Sequence, residues 1–496
     1  MNDTTTNQTQ RLERGGQIDR SKPLQFTFDG KSYTGYQGDT LASALLANGV
    51  RLLGRSFKYH RPRGLIAAGS EEPNALVQLE EGAYTEPNTR ATCVELYDGL
   101  VANSQNRWPS LEFDVGAVNS MVARFLPAGF YYKTFMWPAS MWMTYEKFIR
   151  KAAGLGVSPT EPDPDVYHST YAHCDVLIIG AGPAGLAAAS AAAASGARVM
   201  LVDEQSQPGG ATIGKKMSSA FTQWREEVES TLQSNDNVTY LPRTTLTGYF
   251  DYNYLTAVEK LTDHIGPGRS ADKPRQRFWK IRAQQVVIAA GSIERPLVFA
   301  DNDRPGVMLA NAVDTYIDRY GVLPGNDIAV FTNNDSAYAT ALNASASGAT
   351  VTMVDTRKNV DAALTTACED AGVRVFKGHA ITSVNGAKGI TAVRIMPLSP
   401  DGKAVGGQAW EITCQIVANS GGWTPSVHMY SQSGGKLQYD DYIHGFVPDT
   451  TRAKSVNPNI SAGACNGSFA TAQCLQQGRD AGVAAAAACG YDTHAA

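Results

Sequence analysis

Apolar and polar residues alternate near the start of the chain, within residues 22–36. Alternation with a period of two predicts strands, and Asp29-Gly30 supplies a tight turn between two of them. The segment from Gly38 to Gly49 then predicts a short helix, with Asp39 or Thr40 as its N-cap and the last glycine as its stop. A hairpin followed by a helix is how a β-grasp domain begins.

Two later segments show the strand, helix, strand pattern of a βαβ unit. Residues 176–204 run through an apolar strand, a glycine turn, an alanine-rich helix and a second apolar strand, and residues 328–355 repeat that layout. Residues 217–234 predict a helix, and residues 278–291 predict two further strands. The stretch 158–173 is rich in proline and aspartate and predicts an interdomain linker.

Charge is nearly balanced, with 43 basic against 47 acidic residues and a pI near 6.1. No broad positive field is available for nucleic acid or an anionic membrane. The seven cysteines contain no CxxC pair, which argues against a disulfide framework, a zinc site or a redox dithiol. Because the N-terminus is polar and has no apolar signal core, we expect a cytoplasmic protein without membrane or nucleic-acid partners.

Residues 125–148 are unusually aromatic and include Trp137 and Trp142. Pro127 and Pro138 interrupt the stretch, and no run of apolar residues is long enough to cross a membrane. We expect a buried docking segment that belongs to the core or to a subunit interface.

The first βαβ unit carries the glycine fingerprint of a dinucleotide site. Gly180 permits the tight turn out of the strand, Gly182 lets the backbone approach a pyrophosphate, and Gly185 allows close helix packing. The helix N-terminus offers N–H groups and a partial positive charge to the phosphates. Asp203 ends the second strand, where a carboxylate can accept both hydroxyls of an adenosine ribose and disfavours a ribose 2'-phosphate. The sequence therefore predicts NAD or FAD rather than NADP.

Other loops resemble those of the two-domain flavoprotein disulfide-reductase-like superfamily. The resemblance covers about residues 174–488 and rests on Gly209-Gly210 and residues 286–296, beside the fingerprint. The resemblance implies that this chain contributes residues that bind a cofactor. It implies no catalytic residue and no metal ligand in this chain. The predicted cofactor-binding residues are Gly180, Gly182, Pro183, Ala184, Gly185, Asp203, Glu204, Gly210, Ala290, Gly291 and Gly463.

Two departures from that superfamily change the expected chemistry. The second βαβ unit has Thr332, Asn334 and Ala337 where the family places glycines. Their side chains would block the approach of a pyrophosphate, so we expect no second nucleotide. Near the C-terminus, Ala464 stands where family members that use FAD place an aspartate for the flavin ribitol. The resemblance therefore implies NAD as the cofactor of this chain, with FAD as the alternative.

The N-terminal region resembles the β-grasp ferredoxin-like domain of many amine-oxidising dehydrogenases, through the predicted helix and residues 55–64. That domain normally ligates a two-iron two-sulfur cluster with four cysteines. The corresponding positions here are Ala67, Glu72 and Ala75, and only Cys93 remains. Because one thiolate cannot hold such a cluster, we expect no iron–sulfur cluster.

Residues 18–64 and 67–79 closely resemble the start of the alpha subunits of heterotetrameric sarcosine oxidases. The resemblance implies a complex that oxidises sarcosine to glycine, a one-carbon unit (formaldehyde or methylene-tetrahydrofolate) and hydrogen peroxide. It implies NAD in this chain, FAD in a beta subunit, FMN at the interface of these two chains, and further small subunits. Amine oxidation would then belong to the beta subunit, and activity would require the assembled complex.

A basic cluster is the local exception to the balanced charge. Arg55, Lys58, Arg61 and Arg63 are candidates for contact with the FMN phosphate or with an acidic surface of the partner. A solvated basic loop is the alternative. Alpha subunits of that family also continue into a folate-binding half, whereas this sequence stops at Ala496, so we expect either a fragment or a chain without the folate step.

The predicted fold class is α/β. A split Rossmann unit holds an inserted, degenerate second one, as in flavoproteins with two dinucleotide-binding domains, and a β-grasp ferredoxin-like domain without cluster ligands precedes them. The expected segments are a disordered lead-in (1–20), the β-grasp domain (21–105), an aromatic-rich connection and linker (106–173), the first dinucleotide-binding domain (174–320 and 405–496) and the degenerate second one (321–404).

Two other functions stay open. The chain could be a free-standing FAD-dependent amine, opine or proline dehydrogenase subunit, or a purely structural NAD-binding scaffold. The identity of the bound nucleotide separates the first of these from the oxidase subunit.

Overall fold

The structure, a computed structural model, describes residues 8–125, 137–153, 155–269, 273–451 and 457–493. The chain forms two compact units. The first unit contains residues 1–164 and 295–422, and the second contains residues 165–294 and 423–496.

The elements of the N-terminal segment are β1 (Asp19–Phe28), β2 (Lys31–Gln37), α1 (Leu41–Ala47), β3 (Gly54–Arg55), β4 (Pro62–Arg63), β5 (Leu76–Leu79), β6 (Glu86–Arg90), β7 (Leu100–Ser104), α2 (Val118–Met121) and α3 (Trp142–Ala153). One sheet has the order β2-β1-β7-β5-β6, with β1 parallel to β7. Thr40 and Ser43 form a capping box at the start of α1, which satisfies backbone N–H groups of its first turn. The predicted hairpin and helix are confirmed.

The expected disordered lead-in is wrong for the described part of it, from residue 8 onwards. Arg11 pairs with the buried carboxylate of Asp39, with 2.6 Å between Nη2 and Oδ2. The backbone N–H of Leu12 also donates to the carbonyl of Gly321 at 2.8 Å. A buried carboxylate is costly unless it is paired, so the cation that it needs fixes this segment. Residues 1–7 lie outside the described residues.

The next segment contains β8 (Tyr167–Ile179), α4 (Pro183–Ala194), β9 (Val199–Val202), α5 (Ser219–Ser234), β10 (Val238–Leu241), β11 (Thr244–Phe250), β12 (Tyr254–Lys260), β13 (Gln276–Ile288) and β14 (Ser292–Glu294). Its sheet has the order β10-β9-β8-β13-β12-β11. The parallel part, β10-β9-β8-β13, is the Rossmann-like half, and the antiparallel strands β11 and β12 extend it.

Two sequence predictions about this sheet are wrong. Residues 278–291 do not hold two strands, because β13 is continuous from Gln276 to Ile288. The second half of the predicted linker is not a linker, because residues 167–173 are the first half of β8. These residues pair in parallel with residues 276–282. Strand pairing satisfies the backbone groups that a linker would leave to water.

The third segment contains β15 (Val307–Leu309), α6 (Ala310–Asp318), β16 (Asp327–Thr332), α7 (Ser336–Ala346), β17 (Thr350–Asp355), α8 (Ala362–Asp370), β18 (Arg374–Lys377), β19 (His379–Asn385), β20 (Ala392–Pro397), β21 (Trp410–Thr413) and β22 (Ile416–Ser420). A parallel sheet has the order β15-β22-β16-β17-β18, and β19-β20-β21 form an antiparallel sheet. The repeated βαβ unit, β16-α7-β17, is confirmed.

The inserted domain is larger than residues 321–404, because β15 and β22 belong to its sheet and not to the first domain. Strand β22 was predicted to return to the first domain, yet it lies between β15 and β16. This domain also shares a hydrophobic cluster with the β-grasp domain. The hydroxyl of the buried Tyr316 donates to the carbonyl of Ala67 at 3.1 Å. The backbone N–H of Leu309 donates to the backbone carbonyl of Ile66 at 2.7 Å.

The last segment contains β23 (Trp423–Pro425), α9 (His428–Gln432), β24 (Leu437–Asp440), β25 (Gly445–Pro448), β26 (Asn459–Ser461) and α10 (Thr471–Ala488). Strand β26 pairs with β13, and α10 packs along α4. A Cβ added at Gly478 would lie 2.1 Å from the carbonyl oxygen of Ala184, and one added at Gly482 would lie 2.3 Å from that of Ala188. Only glycine therefore lets these two helix backbones come so close.

The described residues of the aromatic stretch 125–148 are not core. Trp137, Met143 and Phe148 are 84%, 69% and 71% exposed in this chain, so the core alternative is wrong for them and the subunit-interface alternative stays a prediction. Residues 126–136 lie outside the described part of the chain. Within the described ranges, no helix has the length and apolar character that crossing a membrane requires.

Candidate dinucleotide site

The fingerprint loop lies where β8 ends and α4 begins. Gly180 has a φ of +98°, and a Cβ there would lie 2.5 Å from the carbonyl oxygen of Ala289. A Cβ at Gly185 would lie 1.7 Å from the carbonyl oxygen of Gly180. Both glycines are therefore required by close backbone packing, as the sequence pattern predicts.

Gly182 and Gly291 border open space instead. A Cβ at Gly182 would have Gly210 Cα, at 3.9 Å, as its nearest heavy atom, and a Cβ at Gly291 would meet nothing within 4 Å. Gly210 packs on the same loop, since a Cβ there would lie 2.9 Å from Gly182 Cα. The glycines thus leave a space beside the backbone that a pyrophosphate can enter.

The N-terminus of α4 faces this loop without a side-chain cap. Gly182 is the N-cap residue and Pro183 stands at the first helical position. The N–H groups of the first turn, including those of Ala184 and Gly185, are not capped by a side chain of Gly182. An uncapped helix start of this kind favours an anionic group such as a phosphate. The described residues therefore fit a dinucleotide.

Asp203 closes the site at the end of β9. Its Oδ2 accepts the N–H of Ala181 at 2.5 Å, and its Oδ1 accepts the N–H of Gln205 at 2.7 Å. The residue is 9% exposed. These bonds hold the carboxylate against the fingerprint loop, where the sequence placed the contact to the ribose. The next residue, Glu204, is exposed.

Gly463 and the start of α10 bound the other side of the site. Gly463 has a φ of +76°, and a Cβ there would lie 2.8 Å from the Cβ of Ala184. Its N–H donates to Oε1 of Gln477 at 2.9 Å. Ala464 follows in a short 3-10 helix, Gly463–Asn466. Gln477 was missed by sequence reasoning, and the one signal for it is its place beside Gly478 in the alanine-rich helix.

Two buried cysteines of this unit, Cys465 and Cys174, are not set up for redox chemistry. Cys465 donates its Sγ–H to the carbonyl of Ile288 at 3.0 Å, and burial raises its pKa to about 11. Burial also raises the pKa of Cys174 to about 12. A thiol needs its thiolate form to react, and these pKa values keep it protonated near neutral pH.

The second βαβ unit has a different turn. Oγ1 of Thr332 accepts the N–H of Asn334 at 3.0 Å, and Nδ2 of Asn334 donates to Oγ of Ser420 at 3.0 Å. Ala337 is buried in α7. Polar side chains thus occupy the turn that glycines leave open in the first unit. At the end of β17, the buried carboxylate of Asp355 pairs with Arg357 at 2.8 Å.

The basic cluster forms ion pairs and hydrogen bonds within its own unit. Arg61 lies 2.8 Å from a carboxylate oxygen of Asp301 and 2.9 Å from one of Asp303, and Arg63 also pairs with Asp303. Arg55 donates from Nε to the carbonyl of Leu111 at 2.9 Å. The ammonium of Lys58 lies 4.9 Å from the ring centroid of Tyr59. Carboxylates of the same unit therefore neutralise two of the four cations, Arg61 and Arg63.

The loop that corresponds to a cluster site is organised by Glu72. Its carboxylate is buried and accepts four backbone N–H groups, from Ile66, Ala67, Asn74 and Ala75, at 2.7 to 3.2 Å. Burial raises the pKa of Glu72, and the four amides act in the opposite direction. Sequence reasoning noted Glu72 only as a replaced ligand and missed this role.

Two family models match the chain. Residues 174–478 match the pyridine nucleotide-disulphide oxidoreductase model, and residues 21–107 match a 2Fe-2S iron-sulfur cluster binding domain. The first match spans well over half of the sequence, so the chain belongs to the pyridine nucleotide-disulphide oxidoreductase family. The Rossmann-like sheets agree with that class.

More particularly, the chain is similar to sarcosine oxidase subunit alpha. The protein of that name from Rhizobium meliloti (strain 1021) is 46% identical over 477 residues, which cover 94% of this chain and 46% of the relative. The one from Corynebacterium sp. (strain P-1) is 39% identical over 484 residues, which cover 96% of this chain and 44% of the relative. The predicted resemblance is confirmed, and the chain spans less than half the length of these relatives.

A solved structure supports the fold. L-proline dehydrogenase from P. horikoshii has a TM-score of 0.61 and 19% identity, and the match covers 96% of this chain and 76% of that one. At 19% identity, this similarity supports the fold and not a function.

The expected absence of an iron–sulfur cluster is contradicted by the match of residues 21–107 to a cluster-binding domain. The N-terminal domain is thus of the 2Fe-2S type. Cys93 is the one cysteine in that matched segment, and in the part of the chain that the structure describes no three His, Cys, Asp or Glu residues are grouped to hold a metal ion. The residues at the loop therefore do not supply a four-thiolate ligand set.

Proposed function

We propose that this chain is the dinucleotide-binding alpha subunit, or part of it, of a flavin-dependent sarcosine oxidase complex. The observation that carries the proposal is the 46% identity to sarcosine oxidase subunit alpha, which runs through both units of the chain. In the proposed complex, sarcosine is oxidised at FAD in a partner subunit. The products are glycine, a one-carbon unit as formaldehyde or methylene-tetrahydrofolate, and hydrogen peroxide.

The nucleotide that we propose for the dinucleotide site is NAD. The open space at Gly182, the uncapped start of α4 and the carboxylate of Asp203 support a dinucleotide without a 2'-phosphate. Ala464 offers no carboxylate for a ribitol chain, and the N–H of Gly463 is already taken by Gln477. Both features favour NAD over FAD. Glu204, Ala290 and Gly291 belong to the proposed site as well.

The inserted domain is proposed to bind no nucleotide. The side chains of Thr332 and Asn334 lie in the turn and bond to each other and to Ser420. A pyrophosphate could approach only if these bonds broke and the side chains moved away. A pyridine nucleotide therefore cannot deliver hydride from this domain. The role of the chain in the proposed complex is to bind one dinucleotide and to assemble with the other subunits.

The proposed complex also holds FMN where this chain meets the flavin-binding subunit. Arg61 and Arg63 are held by Asp301 and Asp303, so an FMN phosphate would have to compete with two carboxylates for them. We propose that these pairs shape the loop, and that an FMN contact falls to Lys58 or to the partner subunit.

Two experiments test this function. Denaturing the purified protein and identifying the released nucleotide by mass spectrometry should give NAD, whereas FAD would favour the free-standing dehydrogenase. Mixing the chain with the flavin-binding subunit should be required for oxygen uptake with sarcosine. Sarcosine oxidation by this chain alone would contradict the proposal. If the chain binds NAD but never binds a flavoprotein, the remaining function is that of a purely structural NAD-binding scaffold.

A further inference from the structure

The sheet of the second unit extends beyond the dinucleotide site, and the site does not use one face of this extension. Strands β11, β12, β13 and the first half of β8 lie side by side in it. In the register, Tyr171 lies opposite Lys280, Tyr254 opposite Arg282, and Phe250 opposite Tyr254. Residues directly opposite each other project to the same side of a sheet, so these side chains share one face.

The composition of this face is unusual. It carries aromatic rings and cations and, among the strand residues that share it, no carboxylate. We call it the aromatic–cationic face after its rings and cations, which are Tyr167, Tyr171, Tyr254, Phe250, Phe278, Lys260, Lys280 and Arg282. The face also holds Ser169, His173, Thr256, Val258 and Gln276.

The opposite face of the same strands is ordinary core. Leu255, Ala257 and Ile281 are fully buried there in one hydrophobic cluster. An antiparallel sheet with one buried face normally presents polar residues on the other. Here Tyr171 is 71% exposed and Phe250 is 52% exposed. Large aromatic side chains grouped on an exposed face mark an interaction surface.

The cations are held in place by the rings. The ammonium of Lys280 lies 4.8 Å from the ring centroid of Tyr171, and the guanidinium of Arg282 lies 4.9 Å from that of Tyr254. Nη1 of Arg282 also donates to the carbonyls of Asp251 and Tyr252, at 3.3 and 3.1 Å, and Nζ of Lys280 donates to the hydroxyl of Tyr171 at 3.4 Å. Stacking and these bonds together fix both side chains, and the remaining N–H groups stay directed away from the rings. A surface that is to bind carboxylates gains from such preorganised donors, because less side-chain entropy is lost on binding.

The outer edge of the face is also open. Strand β9 pairs with β8 only at residues 176–179, so along residues 167–173 no described strand lies on the side away from β13. An exposed strand edge offers backbone N–H and C=O groups to another chain. The edge and the face together form one continuous surface on this unit.

We propose that the aromatic–cationic face binds an acidic surface of a partner protein, and that this partner is the flavin-binding subunit. The inference rests on the proposed function, because the partner belongs to that complex. Tyrosine and arginine are the residues that dominate protein interfaces, and the three cations without a carboxylate call for an anionic partner. A protein fits better than nucleic acid, since the chain carries a net charge of -4 and has no broad basic field.

The test is a charge reversal in the full chain, Lys280→Glu with Arg282→Glu, co-expressed with the flavin-binding subunit. The matched control is Arg374→Glu with Lys377→Glu. These are exposed cations of β18 in the other unit, and Arg374 is likewise stacked on an aromatic ring, 4.4 Å from that of Phe376. We expect the first variant to lose about tenfold or more in affinity for the subunit, and the control to bind as wild type.

A second variant guards against a folding artefact. Tyr171→Ala removes a ring that is 71% exposed, so it should leave the urea midpoint and the bound nucleotide unchanged. It should still weaken binding of the flavin-binding subunit by about fivefold or more. Wild-type affinity should also fall with added salt, and the charge-reversed chain should show a smaller dependence on salt.

Several results would overturn the inference. If wild type and both face variants bind the flavin-binding subunit equally well, the inference is wrong and the proposed function is unaffected. A wild-type chain that does not bind the flavin-binding subunit at all would contradict the proposed function and this inference together. A self-association that only the face variants lose would assign the face to a second copy. Binding of a single-stranded oligonucleotide that only these variants lose would assign it to nucleic acid.

Discussion

The carboxylate of Asp203 accepts a hydrogen bond from the backbone N–H of Ala181, with 2.5 Å between Oδ2 and N. This bond joins the end of β9 to the middle of the fingerprint loop. The acid that should face the ribose therefore also fixes the turn that should hold the pyrophosphate. Two halves of one ligand would be positioned by one buried side chain.

Replacing Asp203 should affect affinity and specificity together. In Asp203→Asn the side chain keeps its size but loses the charge that repels a 2'-phosphate. We expect NAD to bind about tenfold more weakly and the preference for NAD over NADP to narrow. Isothermal titration with both nucleotides measures this. Asp236→Asn, at an exposed position after α5, is the control. Unchanged NAD affinity in Asp203→Asn would show that the carboxylate is only a loop anchor.

Two glycines of the fingerprint should respond in opposite ways to alanine. A Cβ at Gly182 enters open space, so Gly182→Ala should fold normally and bind NAD at least about tenfold more weakly. A Cβ at Gly185 would meet the carbonyl of Gly180 at 1.7 Å, so Gly185→Ala should cost about 3 kcal/mol or more in unfolding free energy. Urea unfolding and nucleotide titration separate the two effects. Full NAD affinity in Gly182→Ala would place the pyrophosphate elsewhere.

One nucleotide should bind per chain. The turn of the inserted domain is filled by Thr332 and Asn334, so saturating NADH or NADPH should add no second equivalent. Native mass spectrometry gives the count directly. Protection of the inserted domain from hydrogen exchange by a second nucleotide would contradict the prediction.

The acid limb of the stability curve should depend on Asp175. Its side chain is 3% exposed, and the Arg198 guanidinium, with help from the Tyr491 hydroxyl, holds its pKa well below the usual range. A depressed folded pKa gives stability that is present above the unfolded value of about 3.9 and is lost as the pH falls through the folded pKa.

Asp175→Asn should therefore reduce the unfolding free energy by about 2 kcal/mol at pH 7, a modest value because Arg198 is 57% exposed. The difference from wild type should shrink below about pH 4. Urea titrations at several pH values measure it, with the exposed Asp251→Asn as control. A difference that stays constant with pH would show that charge is not its source.

Glu72 should stabilise the N-terminal domain through its four amide partners. In Glu72→Gln the side-chain NH2 would face two backbone N–H donors, and about 3 kcal/mol of unfolding free energy should be lost. The exposed Glu81→Gln should change it by less than about 0.5 kcal/mol. Tryptophan fluorescence in urea follows the transition. Wild-type stability in Glu72→Gln would mean that the amides have other acceptors.

The sequence predicted the local parts of this protein well. The β1 to β2 hairpin, the capped helix α1 and both βαβ units follow from turns, caps and periodicity within a few tens of residues. The fingerprint glycines could be assigned for the same reason, because their geometry depends on the strand and helix that adjoin them. The nucleotide itself, and each residue's contact with it, stay predictions.

Contacts between distant residues decided the rest. No local pattern indicates that residues 167–173 extend β8, because their partners, residues 276–282, lie more than a hundred positions away. Strand β22 was assigned to the wrong domain because either sheet could accept an apolar strand. The sequence predicts that the basic cluster can bind a phosphate or a partner, whereas the fold pairs Arg61 and Arg63 with Asp303.

By itself, the sequence determined which segments can turn, cap and alternate, because those properties reside in neighbouring residues. Only the tertiary structure decided which strand ends up at an edge, which cation finds a carboxylate and which aromatic ring stays exposed. The physical reason is that pairing and burial depend on what the folded chain brings near. The aromatic–cationic face exists only because residues 167–173 of β8 pair with residues 276–282 of β13, more than a hundred positions away, and align their side chains with those of β11, β12 and β13.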